Sequence, residues 1–202
     1  MSNNKLNFGS LVSVIEQTHQ HFQQQAVNAL NVSLTVRNWL VGYYIVTFEQ
    51  KGEDRAVYGS KLLSNLAESS KNIKGFDERS FRNFRMFYKL YPYLQTYIAK
   101  NLSAMPIGGS LTTESKSLDF LVLAEKIISQ LSYTHIEQLL PIQDPLKRAF
   151  YEVECIKGIC SVRELKRQIN SLYFERCGMN NVKDMQLVDF SEMSMLSKNG
   201  FF

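Results

Sequence analysis

The sequence predicts an all-α protein. Hydrophobic residues recur at spacings of three and four along most of the 202 residues, and no segment alternates convincingly with the period of a strand. The chain contains only 10 Gly and 4 Pro, too few for a turn-dense β-sandwich or barrel. With 45% hydrophobic and 21% charged residues, the composition is typical of a folded protein and excludes wholesale disorder.

The first fifty residues contain two helical segments. The first has a narrow amphipathic stripe, with Ser10 as its predicted N-cap, formed by Leu11, Ile15, Thr18, Phe22, Ala26 and Ala29. The second, residues 34–50, is apolar nearly all round and stops before Gly52, which predicts a place at the centre of the core. Because no proline occurs before Pro92, the two segments are expected to form one long or gently broken helix.

Residues 58–92 predict two helices joined by a short turn. The first carries Leu62, Leu66 and Ile73 on one face and ends at Gly75. The second is N-capped by Asp77 and closed by Pro92. Two helices joined by a short Gly-containing turn form the helix-turn-helix pattern, and a short hairpin wing near 93–113 is compatible with it.

The second half of the chain also predicts helices. Motifs of the form S/T-x-x-E at 134–137 and 161–164 predict capping boxes ahead of helical segments. Further helices are predicted at 118–131, at 145–156 (opened by Asp144, broken by Gly158) and at 162–176 (ended by Gly178). The predicted organisation is an N-terminal long helix plus helix-turn-helix-like unit at 1–95, a loop or insertion at 96–117, a second helical unit packed on the first at 118–178, and a tail or linker at 179–202.

The helix after Asp77 separates aromatic from cationic residues. On a helical wheel its aromatic residues fall opposite an arc that contains Arg79, Arg82, Arg85 and Lys89, and Lys71 and Lys74 precede the turn. Arginine can bind guanine edges or phosphates through two hydrogen bonds, and lysine adds phosphate affinity. These six residues are therefore the candidate DNA contacts, with an ordinary solvated helix face as the alternative.

A second basic cluster lies on the helix predicted at 162–176. Its cations, Arg163, Lys166 and Arg167, are secondary DNA-binding candidates. Several glutamates dilute the charge of this region, which favours an ordinary exposed face.

The sequence predicts neither catalytic nor metal-binding residues and implies no cofactor. His19 and His21 are expected to be exposed polar residues, and His135 is expected to have a structural role by donating to a neighbouring carbonyl. Three isolated cysteines, Cys155, Cys160 and Cys177, predict core fillers rather than a disulfide framework, and this usage favours a reducing cytoplasm. No apolar stretch approaches the roughly 20 residues that span a bilayer, so no membrane partner is expected.

The ordered motifs resemble a known family. The runs YGSKLLSNLA from residue 58, GFDERSFRNFRMFYKLYP from residue 75 and LSYTHIEQLL from residue 131 are similar to the N-terminal domain of the YhcG family of predicted PD-(D/E)XK nucleases. The resemblance covers roughly residues 11–178, with a poorly matched patch at 96–125. It implies an all-helical, helix-turn-helix-like DNA-binding domain, followed in full-length relatives by a nuclease domain.

The family's catalytic residues are not carried over to this chain. A PD-(D/E)XK centre needs an Asp and a Glu-x-Lys to hold Mg²⁺, and the last residues before Phe202 contain no Glu-x-Lys. Mg²⁺ is therefore expected only for the absent nuclease domain, and this chain alone is not expected to be an enzyme.

Two functional hypotheses follow. The first is a DNA-binding helical module whose partner is double-stranded or branched DNA. The alternative is a protein-interaction or dimerisation module of a nuclease or defence complex, in which residues 11–29 form a homodimer through their narrow, nearly heptad stripe. A complete enzyme is the least favoured interpretation.

Overall fold

A computed structural model describes residues 8–51, 61–101, 118–158 and 160–177, and the regular elements in these ranges are helices. In chain order they are α1 (Phe8–Lys51), α2 (Leu62–Ser69), α3 (Glu78–Leu90), α4 (Leu94–Asn101), α5 (Leu118–Gln130), α6 (Tyr133–Leu139), α7 (Pro145–Gly158), α8 (Val162–Asn170) and α9 (Tyr173–Arg176). The predicted all-α class is confirmed. The predicted wing is wrong for residues 94–101, which form α4, and residues 102–113 lie outside the described ranges.

Helix α1 is continuous over 44 residues, about 66 Å at the usual rise per residue. The two predicted N-terminal segments are therefore one helix. The N-cap prediction at Ser10 is wrong because the helix already begins at Phe8, so Ser10 lies within its first turn. The two ends of α1 differ: every residue from 8 to 30 is exposed, whereas its buried residues begin at Thr35.

The core is centred on the crossing of α1 and α3. Trp39 of α1 is fully buried, and its indole Nε1 donates to the Tyr91 carbonyl oxygen at 2.9 Å. The rings of Trp39 and Tyr43 also contact Tyr88, with centroid distances of 5.1 and 5.5 Å. At Gly42 the backbone of α3 comes so close that the carbonyl oxygen of Phe84 occupies the space of a Cβ atom. The central position predicted for residues 34–50 is thus confirmed.

The connection between α2 and α3 is longer than predicted. Helix α2 ends at Ser69 rather than at Gly75, and Ile73, predicted on its apolar face, is half exposed. Serine and asparagine at 69–72 compete with the helix for backbone hydrogen bonds, and turns closed by Ile73 and Phe76 follow. The connection spans eight residues, 70–77, whereas a helix-turn-helix motif uses three or four, so that motif is not confirmed.

Helix α3 begins as predicted. The Asp77 carboxylate accepts a hydrogen bond from the Ser80 backbone N–H at 2.7 Å, the geometry of an N-cap. That hydrogen bond lowers the pKa of Asp77 because it stabilises the charged form. The N-cap prediction is confirmed.

Helix α6 begins two residues earlier than its predicted capping motif. Its N-cap is Ser132, so Thr134 lies inside the helix. His135 reaches back to the cap: the Ser132 backbone N–H donates to His135 Nδ1 at 3.2 Å. Because Nδ1 accepts, Nε2 carries the proton and donates to the Cys160 carbonyl oxygen at 2.9 Å. The structural role predicted for His135 is confirmed.

This arrangement predicts a pH dependence of stability. Burial lowers the pKa of His135 below its usual 6.5, and the hydrogen bond to the Cys160 carbonyl opposes that shift without cancelling it. The unfolded chain takes up a proton near pH 6.5 while the folded chain resists it. The contribution of His135 to the free energy of unfolding is therefore fully present above about pH 6.5. It declines below that pH, by at most about 1.4 kcal/mol per pH unit.

Urea unfolding of the wild type and of His135→Gln from neutral to mildly acidic pH tests this expectation. The difference between their free energies of unfolding is expected to shrink as the pH falls. Because both proteins retain His19 and His21, those side chains cancel in the comparison. A difference that stays constant with pH would contradict the assignment.

Helix α7 begins as predicted at Asp144 and Pro145, and the Asp144 carboxylate accepts a hydrogen bond from the Leu146 N–H at 2.9 Å.

The cysteine prediction is wrong for one pair. The Cα atoms of Cys155 and Cys160 lie 4.8 Å apart at the C-terminal end of α7, and the two residues form a disulfide. Cys155 is buried in the core as predicted, whereas Cys177 is free and exposed, so the core-filler prediction is wrong for Cys177.

The helix predicted at 162–176 is broken. Ser161 caps α8 by accepting from the Glu164 backbone N–H at 3.2 Å, which confirms the predicted start. After Asn170 the chain turns, and Leu172 adopts a left-handed conformation with φ of 53° before α9 begins. Asn170 and Ser171 are weak helix formers, and the Ser171 hydroxyl donates to the Gln168 carbonyl at 3.1 Å. Leu172 is consequently 54% exposed.

One buried hydrophobic cluster includes side chains from α1 and from each of α3 to α9. A smaller cluster under α2 contains Ile45, Leu62, Phe81 and Phe84. The division at residues 1–95 and 118–178 stays a prediction, and the predicted tail from residue 179 lies outside the described ranges. Within the described helices, none combines the length and the apolarity needed to cross a membrane.

Candidate nucleic-acid interface

The amphipathic pattern of α3 is realised in the fold. Its aromatic residues Phe81, Phe84 and Phe87, together with Tyr91, are buried, while Tyr88 is partly buried against Trp39 and Tyr43. Three of its four cations, Arg79, Arg82 and Lys89, are exposed. The helix therefore directs a row of positive charge to solvent because its other face is fixed in the core.

Two of the candidate cations form surface ion pairs. Arg82 contacts Glu78 at 2.7 Å one turn earlier on α3, and Lys71 pairs with Glu68 across the end of α2. All four side chains are about half exposed or more. Ion pairs of this kind contribute little to stability, so a phosphate can compete for either cation at small cost.

Arg85 differs from the other cations of α3. Its guanidinium contacts the carboxylate of Glu49 at 2.8 Å, which joins α3 to the C-terminal part of α1. Both side chains are only about one-third exposed. Arg85 thus contributes to the helix crossing that fixes the orientation of α3.

Of the six candidate cations, Lys74, Arg79 and Lys89 are the ones that form no ion pair with another described residue. Glu49, Glu68, Asp77 and Glu78 oppose the six candidate cations, so six positive charges against four negative ones leave a surplus of two. The surface is therefore less basic than the six candidate cations alone suggest, and its available positive charge lies on Lys74, Arg79 and Lys89.

One further cation near this surface escaped the sequence analysis. Arg37 is exposed on α1, and its guanidinium carbon lies 5.3 Å from the ring centre of Phe76, in the connection that precedes α3. Asn38 accepts two hydrogen bonds from the same guanidinium, at 2.8 and 3.0 Å. No local pattern marks this placement, since residues 37 and 76 meet only through the packing of α1.

The secondary cluster lies on α8. Arg163, Lys166 and Arg167 are exposed, and Arg167 pairs with Glu164 at 3.2 Å. Nearby, Lys147 contacts Glu175 at 2.5 Å, and this hydrogen bond raises the pKa of Lys147 and lowers that of Glu175. The structure therefore leaves α8 with exposed cations as well.

The described residues contain no group of three or more His, Cys, Asp and Glu side chains able to hold a metal ion. His19 and His21 are exposed as predicted, and His21 Nε2 contacts Gln25 at 3.0 Å. That the chain needs no metal or cofactor stays a prediction.

Fold and surface together define an all-helical module with a cationic helix packed on a long N-terminal helix. Residues 14–176 match the family model described as the DUF1016 N-terminal domain, and the chain belongs to that family. It is also 28% identical over 168 residues to a protein of Escherichia coli (strain K12) named "Putative nuclease YhcG". That alignment covers 81% of this chain but 44% of the relative, so the chain spans less than half of that protein. No solved structure matches the chain significantly.

Proposed function

We propose that this chain is a DNA-binding module of a nuclease-family protein and that α3 supplies its principal contacts. The observation that carries the proposal is the row of exposed cations on α3, whose aromatic face is locked in the core. The resemblance of the chain to a putative nuclease indicates that the ligand is DNA, because a nuclease acts on nucleic acid and a row of cations binds its phosphates.

The row suits a phosphate backbone. Arg79, Arg82 and Lys89 recur at spacings of three and seven along α3, so they extend over about 15 Å of its length. That distance covers several phosphates of one DNA strand, whose rise along the duplex axis is about 3.4 Å per phosphate. Each guanidinium can bind a phosphate through two hydrogen bonds, while the lysine acts as a point charge.

The proposal divides the candidate cations by role. Arg79, Lys74 and Lys89 are available for phosphate, and Arg82 can exchange its exposed glutamate for one. Arg85 is assigned to positioning because it holds Glu49 of α1. No cleavage is assigned to the described residues, and binding through Arg and Lys requires no metal.

Replacing Arg79, Arg82 and Lys89 together by alanine is expected to weaken binding of duplex or branched DNA about a hundredfold at moderate salt. Removing three phosphate contacts is also expected to reduce the slope of log K against log salt by about three. Fluorescence anisotropy of labelled duplex and four-way-junction DNA, at several salt concentrations with a chelator present, measures both quantities.

The matched control replaces Arg163, Lys166 and Arg167 of α8 by alanine. It removes the same charge from exposed positions and likewise breaks one surface ion pair, here with Glu164. A general loss of net charge would affect both variants equally, whereas the proposal expects a markedly larger loss for the α3 variant. Equal losses, or wild-type binding by the α3 variant, would refute it.

A further inference from the structure

The N-terminal half of α1 has no packing partner within the described chain. Every residue from 8 to 30 is exposed, a helix of about 35 Å that projects from the core. Its exposed side chains include large hydrophobic ones, with Phe8 at 81%, Ile15 at 58% and Phe22 at 62%. Most helical stability in proteins comes from packing of an apolar face, so a helix that exposes such side chains is stabilised by a surface that covers them.

The exposed side chains follow a coiled-coil repeat. Spacings of three and four alternate without interruption along a strip that consists of Phe8, Leu11, Ile15, Thr18, Phe22, Gln25 and Ala29. The mean period of 3.5 residues keeps such a strip facing a second helix along its whole length. The strip therefore fits a helix better than a flat or irregular partner.

The charge of the segment indicates what that helix is. Glu16 is the only Asp, Glu, Lys or Arg between residues 8 and 36. Without cations the segment does not attract nucleic acid, and a nearly neutral surface does not select a strongly charged partner. Two copies of it can approach without appreciable repulsion, as a self-complementary interface requires.

The area is consistent with pairing. Two such helices paired over about 35 Å bury on the order of 1,000 Å² in total, which is near the lower limit for a specific interface. The two phenylalanines alone supply roughly 290 Å² per copy, given their exposure and the usual area of an aromatic side chain.

We propose that residues 8–30 of α1 pair with the same segment of a second copy of the chain, as a two-stranded coiled coil. This pairing is independent of DNA binding, because the candidate DNA contacts lie on other segments. Light scattering coupled to size exclusion, over a wide range of protein concentrations, is expected to give twice the mass of one chain.

Gain-of-function variants test the strip without depending on correct folding of a damaged protein. Gln25 lies on the strip and the adjacent Gln24 lies off it, and both are exposed and contact a residue four positions away. Gln25→Leu is expected to lower the dimer dissociation constant at least tenfold, whereas Gln24→Leu leaves it within about twofold. A Gln24→Leu dimer as tight as that of Gln25→Leu would overturn the assigned strip.

A loss-of-function pair provides the complementary test. Phe22→Asp is expected to give single chains at concentrations where the wild type is dimeric, whereas Val27→Asp, on another face of the helix, leaves the dimer intact. Circular dichroism verifies that both variants remain helical. A wild-type chain of single mass at every concentration would overturn the proposal. So would a chain that dimerises only after residues 178–202 are removed, because that result would assign the strip to the chain's own C-terminal segment.

Discussion

Replacing Gly42 by alanine is expected to lower the free energy of unfolding by about 3 kcal/mol or more. A Cβ atom at this position would lie 2.0 Å from the carbonyl oxygen of Phe84 and 2.6 Å from its carbonyl carbon. Both atoms belong to the backbone, so no side-chain rotation relieves the overlap. Helices α1 and α3 would have to separate, which would loosen the packing of Trp39 and Tyr43 against Tyr88.

Gly158→Ala is the matched control. A Cβ at Gly158, in the last turn of α7, meets no atom within 4 Å, so this substitution is expected to be neutral or to stabilise by about 0.5 kcal/mol. Thermal and urea unfolding of both variants measure the effect. Comparable stability of the two variants would show that the close approach at Gly42 is not required.

The second large effect is expected at a carboxylate buried between α3 and α7. Glu152 is almost completely buried, accepts a hydrogen bond from the Tyr91 hydroxyl at 2.5 Å, and lies 3.8 Å from the guanidinium of Arg148. Burial raises the pKa of Glu152, whereas the tyrosine hydroxyl and the arginine charge oppose that rise. Arg148 is itself mostly buried and also donates to the Ile142 carbonyl at 3.1 Å.

Glu152→Ala is expected to cost about 3–5 kcal/mol, because it leaves the Arg148 charge and the Tyr91 hydroxyl buried without their partner. Glu152→Gln is expected to cost less, since the amide oxygen can still accept from Tyr91. The control Glu154→Ala, two residues further along α7, is expected to change stability by no more than about 0.5 kcal/mol. Chemical denaturation compares the three variants, and similar costs for Glu152→Ala and Glu154→Ala would contradict the proposed role of the buried carboxylate.

The Gly42 site also bears on the proposed function. Gly42 and Glu49 both contact α3 from α1, one through the close backbone approach and the other through Arg85. The orientation of the cationic row therefore depends on residues that are not proposed to contact DNA. Loss of DNA binding in a Gly42 variant would reflect a displaced helix, so the test of contact residues rests on the α3 and α8 triple variants.

Local spacing was sufficient to predict how α3 presents its charge. Aromatic and cationic residues three and four positions apart divide a helix into two faces, and an aspartate before it accepts from its first turn. These relations involve neighbours along the chain, so the sequence contains them in full. The same reasoning correctly predicted the start of α7 and the cap of α8, since Pro and Ser act on the backbone beside them.

Other features depended on residues distant in sequence. The spacing of hydrophobic residues along the strip from Phe8 to Ala29 would be the same in a buried helix and in an exposed one. Only the packing shows that this segment projects from the core. Arg85 contacts Glu49, 36 positions away, and Arg37 lies against the ring of Phe76, 39 positions away, so no periodicity marks these contacts.

The sequence by itself thus determined the helical class, the starts of α3, α7 and α8, and the two faces of α3, because hydrogen-bonding caps and side-chain periodicity act over one or two turns. Tertiary structure decided which cations are available, where His135 donates, and that Cys155 and Cys160 come close enough to form a disulfide. Those outcomes depend on how the chain packs and turns in three dimensions, which the periodicity of individual segments does not specify.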